Sequence, residues 1–242
     1  MSRWKNRIAM PSLPRLAAML GLCAGLGLAA APGAGAAGGR LYPSGPPHGV
    51  AYLRFANLTM HQAKVASAAA ELTLPTDDPH RAGQYDPVTP GSELAGSVVL
   101  DGKSKPIDLK LTPNEFMTIV ITAGTDGGPA ITPLHETPTD FNAQKSSIVL
   151  YNLDQGCKAA KLVAGPQNVA VISGVAPDAL GRRLVNPVNV SLAVACGDAA
   201  PAVPVKLGQM AAGERYSVFL FNRSGAGRQA LAVRDEMAPF RP

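Results

Sequence analysis

The chain has 242 residues, with 22 Lys and Arg against 17 Asp and Glu, and it carries 22 prolines and 25 glycines. That length fits one large or two small domains of about 100–200 residues each, and so much proline and glycine leaves few places for long helices. No basic run exceeds Arg182-Arg183, so nothing in the charge pattern points to nucleic acid.

The first element is a targeting segment. Arg3, Lys5, Arg7 and Arg15 give a basic start, residues 16–31 are apolar, and Ala34-Gly35-Ala36 supplies a small-residue cleavage pattern. This order predicts a cleaved secretory signal peptide over 1–36. The apolar run is shorter than the roughly 20 residues of a membrane-spanning helix. Leu20-Gly21-Leu22-Cys23 is a poor lipid-attachment box, because a small residue belongs where Leu22 stands. Without 1–36 the chain keeps 18 basic against 17 acidic side chains, so the apparent basicity belongs mostly to the targeting segment. The expected mature protein is nearly neutral and exported.

Beyond the signal, period-2 apolar patterns recur and no long 3.6-residue period appears. AYLRFANL (51–58) opens the series and PIDLKL (106–111) alternates Ile107, Leu109 and Leu111 with Asp108 and Lys110. TPNEFMTIVI (112–121) then enters an aromatic-led apolar run. SIVLYNL (147–153) restates the opening run, with Asn152 where Asn57 stood, 95 positions earlier. Val188, Val190, Leu192 and Val194 alternate next, followed by Val203, Val205 and Leu207 and by GERYSVFLF (213–221). Asp101-Gly102, Asp126-Gly127-Gly128, Gly197-Asp198 and Ser224-Gly225 punctuate these runs as turns.

The second half repeats the first. Glu115 matches Glu214 at an offset of 99, and Phe116 matches Tyr216 at 100. The reading is an all-β fold, a tandem of two similar antiparallel β-sandwich domains over 48–137 and 145–235, joined by a linker over 138–144. Residues 76–92, TDDPHRAGQYDPVTPGS, are a turn-rich insertion expected to form a loop. Two cysteines remain after the signal, Cys157 and Cys196, and a pair in an oxidising compartment reads as one disulfide. A reactive thiol or half of a metal site is the competing reading, although nothing nearby in the sequence lowers a thiol pKa.

Catalytic patterns are scarce. His48, His61, His80 and His135 show no paired metal spacing, and G-x-S-x-G is absent. Gly197-Asp198-Ala199 lacks the serine of a Gly-Asp-Ser esterase block. Glu115 and Glu214 have the residue type of a glycosidase pair, yet they occupy equivalent places in separate repeats and read as turn residues. No catalytic, metal-binding or cofactor-binding residue is assigned. The only Trp, Trp4, lies in the signal, and Tyr52, Phe55, Phe116, Tyr151, Tyr216, Phe219 and Phe221 fall on strands as core residues. Tyr85 and Phe141 are placed on exposed loops. The N-x-S/T sequons at Asn57, Asn189 and Asn222 abut or lie within strands, which suits glycan attachment poorly.

Taken in order, LYPSGPP (41–47), VAYLRFANL, LTPNEFMTIVI, DFNAQKSSIVLYNL, RRLVNPVNVSLAV and AGERYSVFLF resemble the AlgF family, accessory proteins of alginate O-acetylation. KSSIVLYNL and RRLVNPVNV are its most specific pieces, and the insertion over 77–92 departs from the compact family pattern. The resemblance implies a protein exported to the periplasm that works with a membrane-bound acyltransferase and a periplasmic esterase-like O-acetyltransferase, and that supplies no catalytic residue of its own. It implies a scaffold or acetyl relay in an exopolysaccharide acetylation complex. Arg182, Arg183 and Asn186, placed on a loop, are the expected contact with a partner or a uronate polymer, since guanidinium groups pair with carboxylates. The alternatives are a secreted carbohydrate-binding or adhesive tandem sandwich, and a true acetyltransferase that carries the acetyl group on a side chain such as Ser, Thr or His.

Overall fold

The computed structural model describes residues 45–67, 71–78, 80–197 and 202–239. The expected signal peptide over 1–36 lies outside the described residues. The described residues fall in one compact unit, Leu41–Pro242.

Among the described residues, sixteen strands build four four-stranded sheets. The first half holds β1 (Ala51–Asn57), β2 (Ala63–Ser67), β3 (Glu71–Leu74), β4 (Asp86–Val88), β5 (Glu93–Leu100), β6 (Lys103–Lys110), β7 (Phe116–Ala123) and β8 (Pro129–Glu136). The second holds β9 (Ser146–Asn152), β10 (Ala160–Ala164), β11 (Val169–Val175), β12 (Ala179–Val185), β13 (Leu192–Cys196), β14 (Val203–Val205), β15 (Arg215–Arg223) and β16 (Gly227–Arg234). The first-half sheets are ordered β4-β1-β7-β8 and β3-β2-β5-β6, and the second-half sheets β12-β9-β15-β16 and β11-β10-β13-β14. Adding eight to each strand number of the first half reproduces the second. The duplication therefore extends to topology, including one parallel pair per half, β1 with β7 and β9 with β15, in otherwise antiparallel sheets.

Local chemistry sets the turns. Asp101 and Gly102, with φ of 50° and 77°, form the two-residue link between the paired Leu100 and Lys103, the double positive φ that a type I′ hairpin requires. The twin asparagines close the opening strand of each half. Asn57 and Asn152 are fully buried. The Asn57 amide donates to the carbonyls of His61, Leu74 and Pro75, and the Asn152 amide to those of Cys157 and Val175. Each Oδ1 accepts the N–H two residues on, Thr59 and Asp154. Asn57 is thus an internal strut, and its sequon presents nothing to solvent.

Backbone register corrects one match of the repeat. Tyr52 N–H donates to Glu115 O and Ser147 N–H to Glu214 O, so the offset between β7 and β15 is 99 and Phe116 corresponds to Arg215, not Tyr216. One residue along a strand changes the face. Phe116 points to the other half, whereas Tyr216 packs inside the second sandwich with Ile148, Leu150 and Val218.

The two halves pack through their β1/β7 and β9/β15 sheets. Ala51, Leu53, Met117 and Ile119 face the interior of the first sandwich. The alternate residues Ala56, Leu58 and Val120 join Val149, Tyr151, Phe219, Phe221, Leu231 and Val233 in one apolar cluster. Residues of β9 are buried throughout, which explains why SIVLYNL reads as a continuous apolar run rather than an alternation.

Candidate functional site

Ionisable side chains converge on this seam. Arg54, the one charge inside AYLRFANL, is 1% exposed. Its Nη1 donates to Asp235 Oδ1 at 2.7 Å, its Nη2 to Ser217 Oγ at 2.6 Å and its Nε to Thr118 Oγ1 at 3.0 Å. Ser217 and Thr118 occupy equivalent places of the two halves, so one guanidinium is clasped by the same hydroxyl position twice. Asp235 also accepts from Ser217 Oγ at 2.7 Å. The Tyr85 ring lies 4.2 Å from the guanidinium carbon, a cation–π contact in a desolvated setting.

A second pair runs the opposite way. Glu136 accepts from Arg182 Nε at 2.9 Å and from the Tyr151 hydroxyl. Arg182 Nη1 also donates to Ser147 Oγ at 2.7 Å. Glu136 is paired with Phe116, and Asp235 N–H donates to Arg215 O, so the two carboxylates are repeat equivalents, 99 residues apart. Each half gives an acid to the other and receives one. Buried charges in such pairs lock one relative geometry of the sandwiches, because sliding would leave each ion unpaired in a low dielectric.

Tyr85, placed by sequence on an exposed loop, is instead 2% exposed. Residues 76–92 are not all loop: β4 forms there, and Gly83 N–H donates to Phe55 O, folding Tyr85 under Arg54. Its hydroxyl is 2.9 Å from Thr118 Oγ1. Burial pushes the Tyr85 phenol up to about 12 from 10.0. An acid whose pKa rises on folding contributes stability that is complete below pH 10 and is lost as pH climbs towards 12. Unfolding free energy is expected to fall across that window, and Tyr85→Phe to flatten the fall, measured by urea titration at stepped pH.

Arg215 is 9% exposed, with Nε and Nη1 lacking a hydrogen-bond partner. Its guanidinium carbon stands 4.9 Å from the Phe141 ring and 5.6 Å from that of Phe116. Burial and then the neighbouring Arg182 charge lower its pKa from 12.5. Phe141 is half-buried and packs against Gly45.

Of the residues singled out by sequence, Cys157 and Cys196 form a disulfide, with Cα atoms 5.4 Å apart, tying the loop after β9 to the end of β13. Arg182 and Arg183 lie on β12, not on a loop, because the run from Ala179 to Val185 pairs without a break along β9. Arg182 is committed to Glu136. Arg183 is exposed, its Nη1 donating to Val171 O at 2.8 Å, and Asn186 accepts from Lys145 Nζ. Arg183, Asn186 and Lys145 line a cleft of about 360 Å³ with Val169, Ala170, Val171, Leu184 and Val185. A second cleft of about 420 Å³, lined by His135, Thr139, Asp140, Arg182 and Arg183, adjoins the linker. Sequence reasoning missed the charged seam; its one visible signal was a lone arginine in a strand that is otherwise apolar.

Comparison with known proteins gives this chain relatives. The sequence model of a family described as "Alginate O-acetyl transferase AlgF" matches residues 23–217, from before β1 to the start of β15. An "Alginate biosynthesis protein AlgF" of Pseudomonas putida is 29% identical over 189 residues, covering 78% of this chain and 81% of that protein. A protein of the same description from Pseudomonas fluorescens is 28% identical over 184 residues, 76% of this chain and 78% of its own. Among solved structures, a cell-adhesion candidate from Bacteroides uniformis aligns over 79% of this chain and 98% of its own, at 11% identity and a TM-score of 0.27. One from Bacteroides ovatus aligns over 81% and 100%, at 8% and 0.28. Likeness at that level carries no argument about this chain.

Proposed function

This chain belongs to the AlgF family, and on that premise we propose that it serves alginate O-acetylation in the periplasm as an accessory subunit, a scaffold or acetyl relay for partner transferases. The partners are a periplasmic esterase-like O-acetyltransferase and a membrane-bound acyltransferase of the same pathway, with the uronate polymer as a further contact. The family match over residues 23–217 carries this reading. The seam supports the scaffold role: Arg54, Asp235, Glu136 and Arg182 are spent on one another, pairing across the two sandwiches.

The test is binding of the purified exported chain to each transferase, with intact mass recorded after exposure to a small activated acetyl ester. The scaffold reading expects a complex with the esterase-like transferase and no added acetyl mass. An acetyl increment on a defined side chain would establish the relay. Retention on immobilised polymer, with no complex formed with either enzyme, would move the protein to the class of binding modules.

A further inference from the structure

The two sandwiches repeat one another, yet they treat one pair of sheet edges differently. In the first half, the edges β3 and β4 are four and three residues long, and β4 carries Pro87. The chain beside β1 is further interrupted between Asp86 and the Ala56–Ala82 bridge. Short strands, proline and irregularity are the devices that blunt an edge. In the second half, the equivalents β11 and β12 are each seven residues long and free of proline. Each is the last strand of its sheet, β11 pairing with β10 and β12 with β9.

These two edges start together and diverge. At Gly181 they touch, where a Cβ would sit 2.7 Å from Ile172 Cγ2; only a residue without a side chain allows that approach. At Arg183 a side chain must bridge the gap to Val171 O. Beyond it the cleft of about 360 Å³ opens between residues 169–171 of β11 and 183–186 at the end of β12. Val169 at its mouth is 63% exposed, unusual for a β-branched residue on a strand, and Val171 and Val185 are half-buried. Lys145 and Arg183 are the charged residues lining the cleft, both basic.

We infer that this cleft is the docking site for an extended, acidic segment of a partner protein, which adds to the open edges of the second sandwich. The argument is one of complementarity. An extended segment offers the backbone groups that unpaired edges lack and sets alternate apolar side chains against Val169, Val171 and Val185. Its carboxylates meet Arg183 and Lys145, which fixes register and excludes basic segments. The inference rests on the accessory-subunit reading, since a scaffold needs a surface for its partner.

The experiment places a photo-crosslinking amino acid at Val169, and in a control chain at Leu72 of β3, in cells that export the polymer. Crosslinked peptides are then mapped by mass spectrometry. The expected result is one crosslinked stretch containing Asp or Glu, from a chain other than this one, at position 169 and not at 72. Adding Arg183→Glu is expected to reduce its yield by at least roughly tenfold, since like charges then meet in the cleft. Crosslinks to this chain itself or to carbohydrate, no crosslink at 169, or a yield indifferent to Arg183→Glu would each overturn the inference. Polymer acetylation in a deletion strain is scored separately, so the docking site can fail while the pathway assignment stands, and the reverse.

Discussion

Arg54→Ala is expected to lower the unfolding free energy by about 3–5 kcal/mol, the range for breaking a buried ion pair from one side. The substitution leaves Asp235, whose side chain is 2% exposed, with Ser217 as its remaining side-chain partner. It also deprives Tyr85 of the cation it covers. The cost lies in the stranded carboxylate rather than in lost attraction alone. Arg54→Met combined with Asp235→Leu is therefore expected to recover most of the loss, because removing both charges removes the unpaired ion. The duplication supplies a precedent: register equates Arg54 with Val149, and that valine packs in the seam without a charge. Urea unfolding of wild type, single and double variants checks this, with the double variant more stable than Arg54→Ala as the deciding result.

Cys196→Ser is expected to cost about 4 kcal/mol by loop-closure entropy, and less if the reduced chain keeps structure. The sequence separation of the disulfide is 39 residues, and the loop it closes contains β10, β11, β12 and β13. The bond anchors the loop after Asn152, whose amide donates to Cys157 O. The first half has no cysteine in the described residues and holds the equivalent turn with Asn57 and the Thr59 hydroxyl, which donates to His61 O. The expected outcome is a lower urea midpoint with a steeper slope, since the uncrosslinked denatured chain exposes more surface. A wild-type chain under strong reductant should shift to the same midpoint.

Much of the fold was legible because the two halves spell the same strands. The matching Asn57 and Asn152, and Glu115 and Glu214, lie at identical points of the topology. Alternation in PIDLKL located β6, since one face of that edge strand is solvated. The same logic overreached at 188–191: Val188 is 41% exposed and β13 begins at Leu192, with Asn189 held by a single bridge to Gln209. Pro187 just before it lacks the N–H that a ladder needs. Aromatics mislead at Tyr85, which is buried, and in the repeat, where sequence alone matches Phe116 to Tyr216. Only backbone pairing reveals that β7 and β15 are offset by 99, with Arg215 facing where Phe116 faces. The seam was hidden for a different reason. A strand buried on both faces loses its alternation, so Val149 and Tyr151 look no different from Ile148 and Leu150, although they pack against opposite neighbours. Arg182 looked like a surface arginine because its partner, Glu136, is 46 residues away in the other half.

The assignment of this double sandwich to alginate O-acetylation is tested most directly by proton NMR of the exported polysaccharide. The acetyl ester content is compared between a clean deletion strain and the same strain complemented with the wild-type chain. Polymer made in normal amount without acetyl esters, restored on complementation, is the predicted result. Polymer still fully acetylated in the deletion strain would contradict it.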